Sequence, residues 1–108
     1  MQQLEDAKDR SSYVVQLDFT DEEGNAVVPV SATWTLTDGT NVINNQEDVV
    51  IGSLASTVYI ALSGDDLAYT DGDHRVLVVE GTYLSSLTGA TLPTNAGCWF
   101  RIIDLPQV

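Results

Sequence analysis

The chain carries one histidine, His74, and one cysteine, Cys98. Any Cys-His or Ser-His-Asp arrangement for nucleophilic catalysis has to use that histidine, because a weak nucleophile is activated by a base within hydrogen-bond reach. His74 falls at the start of a strand, where it reads as a corner or solvent-facing side chain. Cys98 alternates with Phe100 and Ile102, the pattern of a small buried hydrophobe. One cysteine makes no internal disulfide and is too little for a thiolate zinc site. Carboxylates cluster at Asp21-Glu22-Glu23 and at Asp65, Asp66, Asp71 and Asp73. Calcium takes six to eight oxygens, but the Asp-x-Asp-x-Asp-Gly loop spacing is missing, and Asp71-Gly72-Asp73 makes a tight turn without metal. A two-carboxylate glycosidase needs a sugar cleft that a sandwich of this size does not offer. No Gly-x-x-x-x-Gly-Lys phosphate loop occurs. The residues therefore assign no catalytic side chain, no metal ligand and no cofactor.

The elements around these side chains are short strands. Tyr13, Val15, Leu17 and Phe19 alternate with polar residues, the period of a half-buried strand. Trp34 and Leu36 alternate with threonines, and Asp38-Gly39 follows as a hairpin signal. Asn41–Asn45 is expected as a short return strand and Val49–Ile51 as another. Val58, Ile60 and Leu62 share one face of a further strand, and Leu67 is expected under the end of the sandwich. His74–Tyr83 is a long strand, residues 84–96 a loop, and Gly97–Leu105 the last strand. About seven strands at regular spacing predict an all-β sandwich. Residues 1–10 form a polar arm anchored only by Leu4 and Ala7, and residues 11–108 form one domain. The predicted core is Leu17, Phe19, Trp34, Leu36, Val58, Ile60, Val76, Val78, Phe100 and Ile102.

The 108 residues carry 16 acidic and 4 basic side chains, a formal net charge of -12. Such a polyanion repels nucleic acid and anionic membranes, so neither is an expected partner. The N-terminus shows no signal-peptide pattern and no stretch reaches transmembrane length. Synthesis in the cytoplasm is expected.

Two features resemble the immunoglobulin-like sandwich: Trp34 on an early strand, and the corner Asp71-Gly72-Asp73-His74-Arg75-Val76 before the penultimate long strand. The corner tyrosine and both disulfide cysteines of antibody domains are absent, which leaves a cysteine-bridge-free relative. Over roughly residues 12–105 the order Gly-Asn-Ala-Val-Val-Pro, Trp-Thr-Leu-Thr-Asp-Gly, Leu-Ser-Gly-Asp-Asp-Leu, Arg-Val-Leu-Val-Val-Glu-Gly-Thr-Tyr and Cys-Trp-Phe-Arg-Ile-Ile-Asp-Leu resembles small virion proteins of tailed bacteriophages with this fold. The resemblance implies a non-enzymatic structural protein located in the virion. Its position would be head decoration, neck, head-tail connector or tail, and its partners other virion subunits or copies of itself.

The expected contact surface comes from the last two long strands, which are apolar on both faces. With Val76, Val78, Phe100 and Ile102 inward, Arg75, Leu77, Val79, Trp99, Arg101 and Ile103 point outward as one partner interface, since interfaces favour aromatic and Arg anchors. The alternative function is a carbohydrate-binding or adhesion module, with Tyr59 and Trp99 outward as stacking surfaces.

Overall fold

The computed structural model describes residues 2–69 and 72–103. Within them the chain is an all-β sandwich. The elements are β1 (Gln2–Gln3), β2 (Ala7–Lys8), β3 (Ser12–Asp18), β4 (Ser31–Thr37), β5 (Val49–Val50), β6 (Thr57–Ser63), a 3-10 turn (Gly64–Leu67), β7 (His74–Leu84) and β8 (Thr91–Ile103). One sheet has the order β1-β8-β7-β4-β5, with β2 also on β8; the other is the antiparallel pair β3-β6. The arm is held in the sheet: β1 and β2 pair parallel with β8, at Gln2 opposite Cys98 and Ala7 opposite Ile102. Ala7 is buried and Leu4 packs against the core, so its two apolar residues do anchor it.

The core lies between the sheets. β4 contributes Ala32, Trp34 and Leu36, β3 and β6 contribute Val15, Val58, Ile60 and Leu62 with Phe19 just after β3, and β8 contributes Cys98, Phe100 and Ile102. Leu67 is fully buried beneath one end, as its position after Ser63-Gly64-Asp65-Asp66 suggested. Leu17 is half-buried and packs on the edge of the cluster.

β7 runs with the opposite parity to that expected. Arg75, Leu77 and Val79 are buried, while Val76 and Val78 lie on the outer face and are half-buried. The register explains this. Val79 and Leu77 stand opposite Trp34 and Leu36 on β4, and Arg75 and Leu77 stand opposite Phe100 and Cys98 on β8. Directly opposed residues share a sheet face, so the neighbours' parity fixes that of β7.

Two connections also differ from expectation. Residues 84–96 are not a loop: β7 and β8 continue as one hairpin, pairing out to Leu84 opposite Thr91, with only residues 85–90 as the turn. Asn41–Asn45 is not a strand; Val42 makes a single bridge to Thr37, and the Ile43 N–H donates to the Leu36 carbonyl. Asn44 and Asn45 take φ of 52° and 57°, a left-handed conformation that asparagine tolerates and that ends extended pairing. The Asp38-Gly39 turn is as its sequence suggests, with the Asp38 carboxylate accepting the N–H groups of Thr40 and Asn41 and Gly39 at φ 103°. Those bonds to the charged form, Asn41's first, hold the Asp38 carboxyl below the usual range.

Gly81 sits inside β7, opposite Ala32. A Cβ there would stand 2.4 Å from the Ser31 carbonyl oxygen, a backbone atom that cannot rotate away. Interior strand glycines mark this kind of close approach. Gly81→Ala is expected to destabilise the fold by roughly 1–3 kcal/mol, the range for overpacking. A urea midpoint equal to that of the parent protein would contradict it.

Candidate functional site

His74 and Cys98 do not meet. His74 lies on the outer face of β7 opposite Arg101, and its ring stacks on Trp99 at a centroid distance of 5.1 Å. Cys98 lies opposite Leu77 on the inner face and is buried, which pushes its thiol up from the usual value. The sheet backbone separates the two, so no proton passes between them. Among the described residues no three of His, Cys, Asp and Glu come together as a metal-holding group.

The expected interface divides by parity. Arg75, Leu77 and Val79 belong to the interior. Trp99, Arg101 and Ile103 do face outward, where they are joined by Val76, Val78 and His74, residues that were assigned to the core or to a corner. This face carries an apolar strip: Val76 directly opposite Trp99, Val78 beside it, and Ile103, 42% exposed, toward the C-terminal end. Arg101 on the same face binds Asp73 at 2.9 Å. That contact holds the Asp73 carboxyl below the usual range through the hydrogen bond and the guanidinium charge. The outer face of β4 is polar, with Ser31, Thr33, Thr35 and Thr37.

The exposed aromatics do not form a single stacking platform. Tyr59 is 65% exposed on the outer face of β6, in the other sheet, while one face of the Trp99 ring is occupied by His74.

Two polar clusters escaped sequence reasoning because their members are far apart in the chain. The first surrounds the turn between β6 and β7. The Arg75 guanidinium is fully buried; Nε donates to the carbonyl of Asp66 at 2.9 Å, Nη2 to that of Ala68 at 2.8 Å, and Nη1 to those of Gly72 and His74. The buried Asp66 carboxylate faces the other way, accepting from Asn44 and Gln46 through Oδ1 and from the Ser63 N–H through Oδ2. This cluster ties the 3-10 turn, the 43–46 segment and the start of β7 into one corner. An isolated Arg within an apolar strand was the available signal, and its direction was not readable from a strand that is apolar on both faces.

The second cluster ties the 21–25 turn to the hairpin. The Glu22 carboxylate accepts from the Tyr83 hydroxyl at 2.8 Å and from the buried Ser85 hydroxyl. The Ser85 bond, the residue's own backbone N–H and the Tyr83 bond all favour the ionised form and lower the Glu22 pKa. A lowered carboxylate gives stability that is present above the unfolded-state pKa and is lost as pH falls through the folded-state value. The stability advantage of the parent protein over Glu22→Gln is therefore expected at neutral pH and should vanish in acid, below the ordinary glutamate range. Paired thermal melts across pH test this; a difference that persists or grows in acid would contradict it.

No family model matches the chain, and neither a curated protein nor a solved structure matches it. The class defined by the fold is an all-β sandwich without a disulfide.

Proposed function

We propose that this chain is a non-enzymatic structural protein of a tailed-bacteriophage particle, joining or decorating larger assemblies through an immunoglobulin-like domain. The observation that carries the interaction reading is the outer face of β7 and β8. Antiparallel sheets commonly turn a polar face to water; here Val76, Val78, Trp99 and Ile103 occupy it instead. Interfaces concentrate aromatic and Arg side chains in such strips, and Trp99 and Arg101 supply both.

The immunoglobulin-like reading is supported by strand order. β4, β7 and β8 lie together in one sheet and β3 with β6 in the other, matching the CFG and BE arrangement with a core Trp on the C strand. Arg75 performs at the β6–β7 corner the tie to upstream backbone that a tyrosine makes in antibody domains. The virion reading rests on the sequence resemblance over residues 12–105. Partners on this reading are other virion subunits, with nucleic acid and membranes disfavoured by the net charge of -12.

Trp99→Asp tests the interface. Its side chain lies on the outer face, so the isolated protein is expected to fold and to fail to join particles. Normal incorporation of the folded variant would overturn the assignment of this face.

A further inference from the structure

A groove of about 340 Å³ runs between β3 and the Thr94–Cys98 stretch of β8, with Gln2 and Leu4 of the arm also lining it. Its base is the buried core residues Val15, Leu77, Val79 and Cys98, and the apolar side chains open to it are half-buried Leu17 and exposed Ala96. Every residue from Val15 to Thr20 lines it, those pointing inward and those pointing outward alike, so the groove follows the edge of β3.

That edge is unpaired. Residues Ser12–Asp18 pair with β6 on one side, and no other backbone hydrogen bond reaches them among the described residues. The alternation of the ladder shows which groups are open. Phe19 N–H donates to the Ser56 carbonyl and Gly64 N–H to the Ser11 carbonyl, so the odd-numbered residues of β3 bond across to β6. The N–H and C=O groups of Val14, Gln16 and Asp18 therefore point to the free edge. Proteins commonly protect such edges with Lys, Pro or bulges. β3 has no Lys or Pro, whereas β8, across the groove, carries Pro93.

The charge around the groove selects the occupant. Asp18 is its only charged lining residue, and no Lys or Arg lines it. At the other end of β3 the Tyr13 hydroxyl donates to the Glu5 carbonyl and Ser11 to the Lys8 carbonyl, which brings Glu5, Asp6 and Lys8 beside the strand with the acidic side chains in excess. A second copy would bring another net charge of -12 to the same edge and be repelled.

We propose that the free edge of β3 accepts an extended segment of a partner protein as an added strand, with alternate apolar side chains in the groove and basic residues at its ends. The proposal rests on reading the chain as an interaction module and makes use of a surface separate from the Trp99 face. Strand addition takes affinity from main-chain hydrogen bonds and specificity from alternate side-chain pockets.

The probe is the capped peptide Lys-Thr-Val-Thr-Val-Thr-Val-Thr-Lys, with a control carrying Glu at both ends, followed by amide hydrogen exchange. The lysine peptide is expected to slow exchange at Val14, Gln16 and Asp18, and the Glu peptide to bind at least about tenfold more weakly, as like-charge juxtaposition disfavours a partner. Gln16→Pro removes an edge donor without breaking a bond to β6 and should abolish binding. Gln16→Lys keeps the backbone donor and should weaken the lysine peptide, which covers the case in which the proline variant does not fold. Unchanged binding by a folded Gln16→Pro variant, protection elsewhere, or no protection with on the order of millimolar peptide, the weak end of measurable affinity, would overturn the proposal. Protection that rises with protein concentration alone would overturn it in favour of a second copy. A chain that binds the peptide but is absent from particles would contradict the virion reading and leave the strand edge standing.

Discussion

Arg75→Met is expected to cost about 3–5 kcal/mol, because the two buried carbonyls of Asp66 and Ala68 lose their donor at roughly 1–3 kcal/mol each and the buried volume is only partly refilled. The reason is what remains behind. The guanidinium is fully buried and serves the carbonyls of Asp66, Ala68, Gly72 and His74. A thioether fills part of the volume and donates nothing. Each buried carbonyl left without a donor costs roughly 1–3 kcal/mol, less where water enters. Small domains have about 5–15 kcal/mol in total, so this one change approaches the whole margin. Arg75→Lys should recover little. Its ammonium is a compact point charge and cannot span four carbonyls as the planar fork does. Thermal melting of Arg75→Met should fall by roughly 12 °C or more, at 4–8 °C per kcal/mol for a domain near this size. A shift of a degree or two, or full rescue by lysine, would mean that the corner holds without the fork.

Trp34→Ala is the second large loss, again about 3–5 kcal/mol, as for deleting a buried aromatic. Trp34 is 8% exposed at the centre of β4, opposite Val49 of β5 and Val79 of β7. Ile51, Val58 and Ile60 line the same gap between the sheets. Among the described residues the second sheet holds β3 and β6 alone, and no further strand there is placed to fill the space left by an indole. The cavity would persist, and retained cavity volume is what raises the cost of a truncation. Trp34→Phe should recover most of the loss. An unchanged urea midpoint for Trp34→Ala would mean that this ring carries little of the core.

Much of the architecture was legible because single-faced strands announce their parity. Trp34-Leu36 among threonines and Phe100-Ile102 beside Arg101 each allow one orientation, and both are as read. β7 was not legible in this way. Residues 76–79 are apolar on both faces, and within the strand alone Val76-Val78 and Leu77-Val79 are equivalent choices. Pairing with Trp34 and Leu36 decides between them, together with an Arg75 side chain that belongs inside because backbone carbonyls await it. The same ambiguity moved half of the expected contact surface into the core and placed Val76 and Val78 on the surface. The hairpin beyond Leu84 was hidden for another reason. Thr91-Leu92-Pro93-Thr94-Asn95-Ala96-Gly97 reads as turn-rich, yet cross-strand pairing with β7 holds it extended. Propensity yields there to tertiary context. The contacts of Glu22 with Tyr83 and Ser85 join residues more than sixty positions apart, and no local pattern encodes them.

The proposal that this chain is a virion protein is tested most directly by protein mass spectrometry of salt-washed phage particles purified from cells that carry its gene. The chain is predicted to be present in a fixed ratio to the major capsid or tail subunits and to stay bound through washing. Its absence from particles, with the folded protein free in the lysate, would contradict the account.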